Sequence, residues 1–200
     1  GGRLQVQDRT VSVEGGTPLH AQDVRVPGDF SSAAFFVGAA LLLPNSELCV
    51  RDVGLNPTRT GAMEIFRAMG GWIETHNERD VCGEPVGDIV IRTSALHGVE
   101  IDAALVVRAI DEFPIIAIVM AFAHGTSAIH GAQELRVKES DRLHVLATAL
   151  EALGVEVEEL SDGLVIQGKG FVRGGTVESR GDHRIAMALT VAGLASAEGV

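Results

Sequence analysis

The chain has 200 residues, 46% hydrophobic and 22% charged, with a formal net charge of −11. That length suits one large domain or two small ones with a sizeable core, and the composition is that of an ordinary soluble globular chain. The acidity argues against general nucleic-acid binding, and the longest apolar runs, about a dozen residues, fall short of the roughly 20 that span a bilayer.

Taken in chain order, the opening GGRLQVQDRT is polar and strand-like, unlike a signal peptide. From Gly28, GDFSSAAFFVGAALLL sets Asp29 directly before an Ala-rich helix that is apolar nearly all round, the pattern of a helix buried on every side. The plain reading of Asp29, shared by Ser31 and Ser32, is an N-cap, with a ligand contact as the alternative. The β-like run ELCVRDV follows, then a basic loop, NPTRTG, then an amphipathic helix closing at AMGGWIE. A strand and a return strand come next, joined by a long loop through NERDVCGEPVG. Cys49 and Cys82 are isolated, which points to two free thiols in a reducing compartment.

The order then repeats. IDEFPIIAIVMAFA sets Asp111 before a second all-apolar helix, SAIHGA follows as strand, LRVKESDR as basic stretch, and LHVLATALEALG as amphipathic helix. VEVEELSDGLVIQG reads as a hairpin turning at Asp162–Gly163. A third start, GDHRIAMALTVAGLA, sets Asp182 before a third apolar helix. Arg59 precedes Gly70 by 11 residues, and Arg142 precedes Gly154 by 12. The unit is therefore β-α-β-α-β-β, present twice, with a third copy truncated at Val200. Three buried helices with sheets outside them make an inside-out α/β arrangement.

Charge gathers in LRVKESDR, at the expected start of a helix. Lys138 and Arg142 are four apart on one helical face, and Glu139 is three from Arg142. A helix N-terminus offers free N–H groups to an anion, while Arg supplies a planar fork and Lys a point charge. Glu139 is then an ion-pair partner or a proton-transfer group. A salt-bridged helix start without a ligand is the competing reading. Asp111 reads less well as a cap, because Pro114 already suits the first turn and Glu112 adds a second carboxylate. His183 and Arg184 open the third apolar helix, where His183 reads as a structural histidine. The remaining histidines form no metal-ligand pattern, and no Gly-rich phosphate loop is present.

VPGDFSSAAFF, NPTRTG, IDEFPIIAIVMAFAHG, ELRVKESDR and GDHRIAMAL together resemble the 5-enolpyruvylshikimate-3-phosphate (EPSP) synthase family, over the chain from about Leu4 to Val200. The resemblance implies an inside-out α/β barrel of the enolpyruvyl transferase type, two similar domains of three β-α-β-α-β-β units each, and a cleft between them that holds the active site. Family members are about twice as long. Residues 1–27 then correspond to the end of the N-terminal domain and the crossover, and residues 28–200 to most of the C-terminal domain, in units of about 28–101, 102–173 and a truncated 174–200.

The implied reaction transfers the enolpyruvyl group of phosphoenolpyruvate to the 5-hydroxyl of shikimate 3-phosphate and releases phosphate. By resemblance, Asp111 contacts the shikimate hydroxyls and accepts a proton. Lys138 contacts shikimate 3-phosphate, Glu139 is the other acid/base candidate, Arg142 and Arg184 grip phosphoenolpyruvate, and His183 lies beside it. Which of Asp111 and Glu139 handles which proton stays open. Glu134 stands where some members carry an Asn that touches shikimate 3-phosphate. The resemblance further implies no metal or organic cofactor, no nucleic-acid or membrane partner, a cytoplasmic monomer when complete, and a chain that is inactive without the N-terminal domain. Two other readings remain: the related UDP-N-acetylglucosamine enolpyruvyl transferase, which lacks the RVKESDR word, and a non-catalytic anion-binding module.

Overall fold

A hairpin of β1 (Leu4–Gln7) and β2 (Thr10–Val13) comes first among residues 2–200, which this computed structural model describes. Both strands are exposed throughout, and Leu4, Val6, Val11 and Val13 share one of their faces. The first repeat then runs α1 (Phe30–Leu42), β3 (Glu47–Gly54), α2 (Gly61–Ala68), β4 (Trp72–Val81) and β5 (Glu84–Arg92). Its sheet has the order β3-β5-β4, antiparallel, and Gly28 bridges Val53 in parallel at the β3 edge.

The expected long loop through NERDVCGEPVG is instead strand on both sides of a two-residue turn. Cys82 and Gly83 both adopt left-handed backbone, φ 57° and 86°, the geometry that reverses a right-twisted hairpin tightly. The polar word misled because the strands are exposed there and carry their polar side chains into solvent. The irregularity it signals lies in the ladder, whose register shifts between His76 and Arg79.

The second repeat has β6 (Glu100–Ile101), α3 (Ala103–Val107), a 3-10 turn at Ile110–Glu112, α4 (Phe113–Phe122), β7 (His124–Ile129), a second 3-10 turn at Gln133–Val137, α5 (Arg142–Ala152), β8 (Glu156–Leu160) and β9 (Gly163–Lys169). Its sheet order is β6-β7-β9-β8, parallel at β6/β7 and antiparallel elsewhere. With Gly28 counted as the first strand position, both sheets have the same order and the same directions, so the repeat is structural. The short α3 has no counterpart in the first repeat and was not anticipated; Asp102 caps it.

The β8–β9 hairpin forms as expected, with a shifted turn: Leu160 pairs with Gly163, so Ser161 and Asp162 are the loop. Gly163 serves a different need from turning. A Cβ there would strike the Ile129 carbonyl oxygen of β7, so glycine permits the two strands to close up.

The third apolar helix, α6 (His183–Ala195), packs against α4 and α1, and α4 packs against α1 as well. Nine of the ten α4 residues are buried, with Ile115, Ile116, Ile118 and Met120 among the largest fully buried side chains. Each such side chain contributes about 1.5–3 kcal/mol of burial. The expectation of burial on every side holds for α4 but not for its neighbours. Phe36 of α1 is 62% exposed and Leu194 of α6 is 61% exposed. Among the described residues α6 packs mainly on the other two helices, not on a sheet, so its outer stripe stays in solvent. Among those residues, no helix is long and apolar enough to cross a membrane.

Candidate functional site

The three apolar helices bring their N-terminal ends together, and the landmark aspartates go with them. Asp29 caps α1 by accepting from the N–H groups of Ser31 (3.3 Å) and Ser32 (2.8 Å). Asp182 caps α6 by accepting from those of Arg184 (2.9 Å) and Ile185 (3.3 Å). Asp111 caps nothing. α4 is entered through a 3-10 turn with a proline in its first turn. The missing proline N–H leaves one donor fewer to satisfy. The Asp111 carboxylate is therefore available to the space between the helix ends.

That carboxylate meets cations from two other segments. Arg59 Nη2 donates to Asp111 Oδ2 at 3.1 Å. Arg184 Nη1 donates to the Asp111 backbone carbonyl at 3.1 Å, and Arg184 Nη2 lies 3.9 Å from Oδ2. Burial pushes the Asp111 carboxyl up, but the Arg59 bond and the charges of Arg184, Arg59 and Lys138 outweigh it and hold it below the ordinary aspartate value. Its neighbour Glu112 is the opposite case: it is 1% exposed, and burial pushes its carboxyl up despite a hydrogen bond from Ser31 and the charges of Arg59 and Arg184.

LRVKESDR is built differently from the expectation. Gln133–Val137 is a 3-10 turn, Lys138 is extended, and α5 begins only at Arg142 with Asp141 as its cap. Lys138 and Glu139 therefore precede the helix, and the shared helical face does not exist. The cause is local: Asp141 turns its side chain back onto the His144 N–H, which sets the helix start. The charges still converge, but around Arg142. This guanidinium is fully buried; Nε donates to Asp182 Oδ2 at 2.8 Å and Nη2 to Glu139 Oε2 at 2.6 Å. Nη1 is buried with no hydrogen-bond partner among the described residues. Such orphaned donors are rare in folded proteins. Lys138 is paired with Glu134 at 3.1 Å. His183 is exposed as the first residue of α6.

So the structure links Asp111 to Arg184, Glu139 to Arg142, and Arg142 to the Asp182 cap that precedes His183 and Arg184. Four residues not singled out as site members belong to the same constellation: Ser31, Arg59, Glu112 and Asp182. The repeat carried a signal for two of them. Arg59 of the first repeat pairs with the Asp of the second (Asp111), and Arg142 of the second pairs with the Asp of the third (Asp182). Equivalent positions thus make equivalent ion pairs one unit ahead. Chemically, the site offers several fixed cations, one guanidinium donor without a partner among the described residues and the carboxylates of Asp111 and Glu139, a set that suits an anion undergoing proton transfer. Among the described residues no cluster of His, Cys, Asp and Glu is arranged to hold a metal ion. A separate cavity of about 210 Å³ on the outer side of α5, lined by His144, Thr148, Glu178 and Arg180, contains none of these residues.

The model of the EPSP synthase (3-phosphoshikimate 1-carboxyvinyltransferase) family matches residues 1–200. A 3-phosphoshikimate 1-carboxyvinyltransferase of Pelobacter propionicus is 54% identical over the whole chain, which spans 46% of that relative's length. The enzyme of that name from Geobacter sulfurreducens is 54% identical over 196 residues, and 46% of it is covered. Among solved structures, EPSP synthase from Acinetobacter baumannii superimposes with a TM-score of 0.95 at 40% identity, covering all of this chain and 47% of that one. The chain thus spans about half the length of the relatives it matches, and with these repeats, this inside-out packing and these matches it belongs to the EPSP synthase family.

Proposed function

We propose that this chain supplies one side of a site that transfers the enolpyruvyl group of phosphoenolpyruvate to the 5-hydroxyl of shikimate 3-phosphate. Residues 28–200 are read as most of a C-terminal domain, in units of about 28–101, 102–173 and 174–200. Residues 1–27 are read as the end of a partner domain and the crossover from it. The reaction needs a proton delivered to the methylene carbon of phosphoenolpyruvate, a base for the attacking hydroxyl, and cations for a phosphate and a carboxylate. After the new C–O bond forms, phosphate departs and a proton leaves the methyl group, restoring the double bond.

The observation that carries this reading is the convergence of Arg59 and Arg184 on an uncapped Asp111. Held ionised, Asp111 is read as the group that accepts from a sugar hydroxyl and takes its proton. Arg184 and the orphaned Nη1 of Arg142 suit the phosphate and carboxylate of phosphoenolpyruvate. Glu139, half exposed beside Arg142, is the second acid/base group, and His183 stands next to the same anion. Lys138 suits the 3-phosphate, which must draw it away from Glu134. In the complete protein the enzyme is read as a cytoplasmic monomer.

Phosphate release from shikimate 3-phosphate plus phosphoenolpyruvate tests this, with the chain mixed with a complementary half from a relative. Turnover is expected in the mixture and not from either part alone. A folded mixture that stays silent, or that turns over a UDP-sugar acceptor instead, overturns the assignment.

A further inference from the structure

Glu112, next to Asp111 in the chain, is buried, with 1% of its side chain exposed against 24% for Asp111. Ser31 Oγ donates to Glu112 Oε1. The same Ser31 oxygen accepts from Arg59 Nη2 at 3.0 Å, and that nitrogen also donates to Asp111 at 3.1 Å and lies 3.8 Å from Glu112 Oε1. One guanidinium nitrogen is thus within reach of two adjacent carboxyls, and the Ser31 hydroxyl links it to the more buried one by accepting from Arg59 and donating to Glu112.

We propose that Glu112 and Ser31 form a positioning device for Asp111: together they fix how Arg59 divides itself between the two carboxyls, and so how strong a base Asp111 is. This rests on the reading of Asp111 as the hydroxyl-binding base. The groups that face Glu112 are Ser31 from α1, Arg59 from the loop before α2, Asp111 beside it, and Arg184 from α6. The two arginines stay charged at any working pH, so the two carboxyls do the titrating. A buried carboxylate needs a close counter-charge. While Glu112 is neutral, Arg59 belongs to Asp111 and keeps it a weak, ionised acceptor. When Glu112 ionises, it competes for Arg59. Asp111 then loses part of its cation and gains basicity. Ser31 donates to Glu112 and so favours its ionised form.

The test follows the Asp111 carboxyl carbon by NMR across the acid-to-neutral range in the chain, in Glu112→Gln and in Ser31→Ala. The unaltered chain is expected to show two steps, one at low pH for Asp111 itself and a second as Glu112 ionises. Glu112→Gln keeps the first and loses the second. Ser31→Ala moves the second to higher pH, because the carboxylate loses a donor, and it carries the test alone if Glu112→Gln does not fold. A single step in the unaltered chain, or a second step that survives in Glu112→Gln, overturns the device. Shikimate 3-phosphate binding to Asp111→Asn in the assembled enzyme separates the two levels. Weakened binding alongside a single NMR step removes the device and keeps the functional reading. Unchanged binding alongside two steps keeps the device and removes the reading of Asp111 as a ligand.

Discussion

Arg142 and Asp182 form a fully buried ion pair in the site. Both side chains are fully buried, and Asp182 also caps α6 and accepts from Ser140 Oγ. Removing one partner of such a pair leaves a buried charge uncompensated, so Asp182→Asn is expected to cost about 3–5 kcal/mol at neutral pH, read by urea unfolding. Burial raises the Asp182 carboxyl, but the Arg142 bond and charge and the N–H groups of Ile185 and Arg184 hold it below its ordinary value of 3.8. A depressed carboxyl contributes stability that is present above the ordinary value and lost as pH falls through the folded one. The same unfolding series carried below that value should show a flatter acid limb for Asp182→Asn than for the unaltered chain; equal limbs would place the acid sensitivity elsewhere. Glu139 invites a kinetic test in the assembled enzyme. Glu139→Gln keeps a hydrogen-bonding group near Arg142 and removes the proton-transfer function. Turnover should fall by roughly 10²–10⁴-fold with substrate affinity far less affected. An undiminished rate would leave Glu139 as an ion-pair partner alone.

At the scale of elements, glycines decide how closely the strands approach, and two of them separate space from conformation. Gly83 sits at φ 86° with nothing near an added Cβ, whereas a Cβ on Gly163 would meet the Ile129 carbonyl of β7. Gly83→Ala should cost about 1–2 kcal/mol of left-handed strain. Gly163→Ala must push β9 off β7 and should cost more, about 3 kcal/mol or above. Thermal unfolding of the two variants compares them directly, and equal losses would show that β9 can shift without breaking its ladder. The helices differ in the same spirit. α4 could begin without an Asp cap because a 3-10 turn and Pro114 satisfy its start, and this is what frees Asp111 for the site. α1 and α6 spend their aspartates on caps.

At the scale of the whole molecule, a net charge of −11 means that the proposed anionic ligand would be held against the overall field. Only the local cluster of Arg59, Lys138, Arg142 and Arg184 can do so, and its reach in physiological salt is about 8 Å. Those cations stand at one end of the helix trio, where the positive ends of three helices add to them. On the proposed reading, this chain supplies one side of a site that it shares with a second domain. A second domain closing over it would exclude water and strengthen each of these interactions. This is why turnover is expected from the mixture of halves and not from this chain by itself.

The sequence by itself determined the repeat, the three apolar helices and the aspartate before each, because an all-apolar helical run has few places to go but inside. It also singled out Asp111, Glu139, Arg142 and Arg184 as candidates, since they lie in words whose spacing repeats or whose charge stands out. The tertiary structure decided the rest. It alone showed that Lys138 and Glu139 precede α5, because the helix start depends on where the Asp141 side chain turns. It alone showed that Arg142 is buried on Asp182 and that Arg59 reaches Asp111, pairs separated by 40 and 52 residues. It also showed Glu112 buried, unlike the partly exposed Asp111 beside it. Adjacent carboxylates look alike in a sequence. Their exposure, and hence their charge, is set by which helices pack over them.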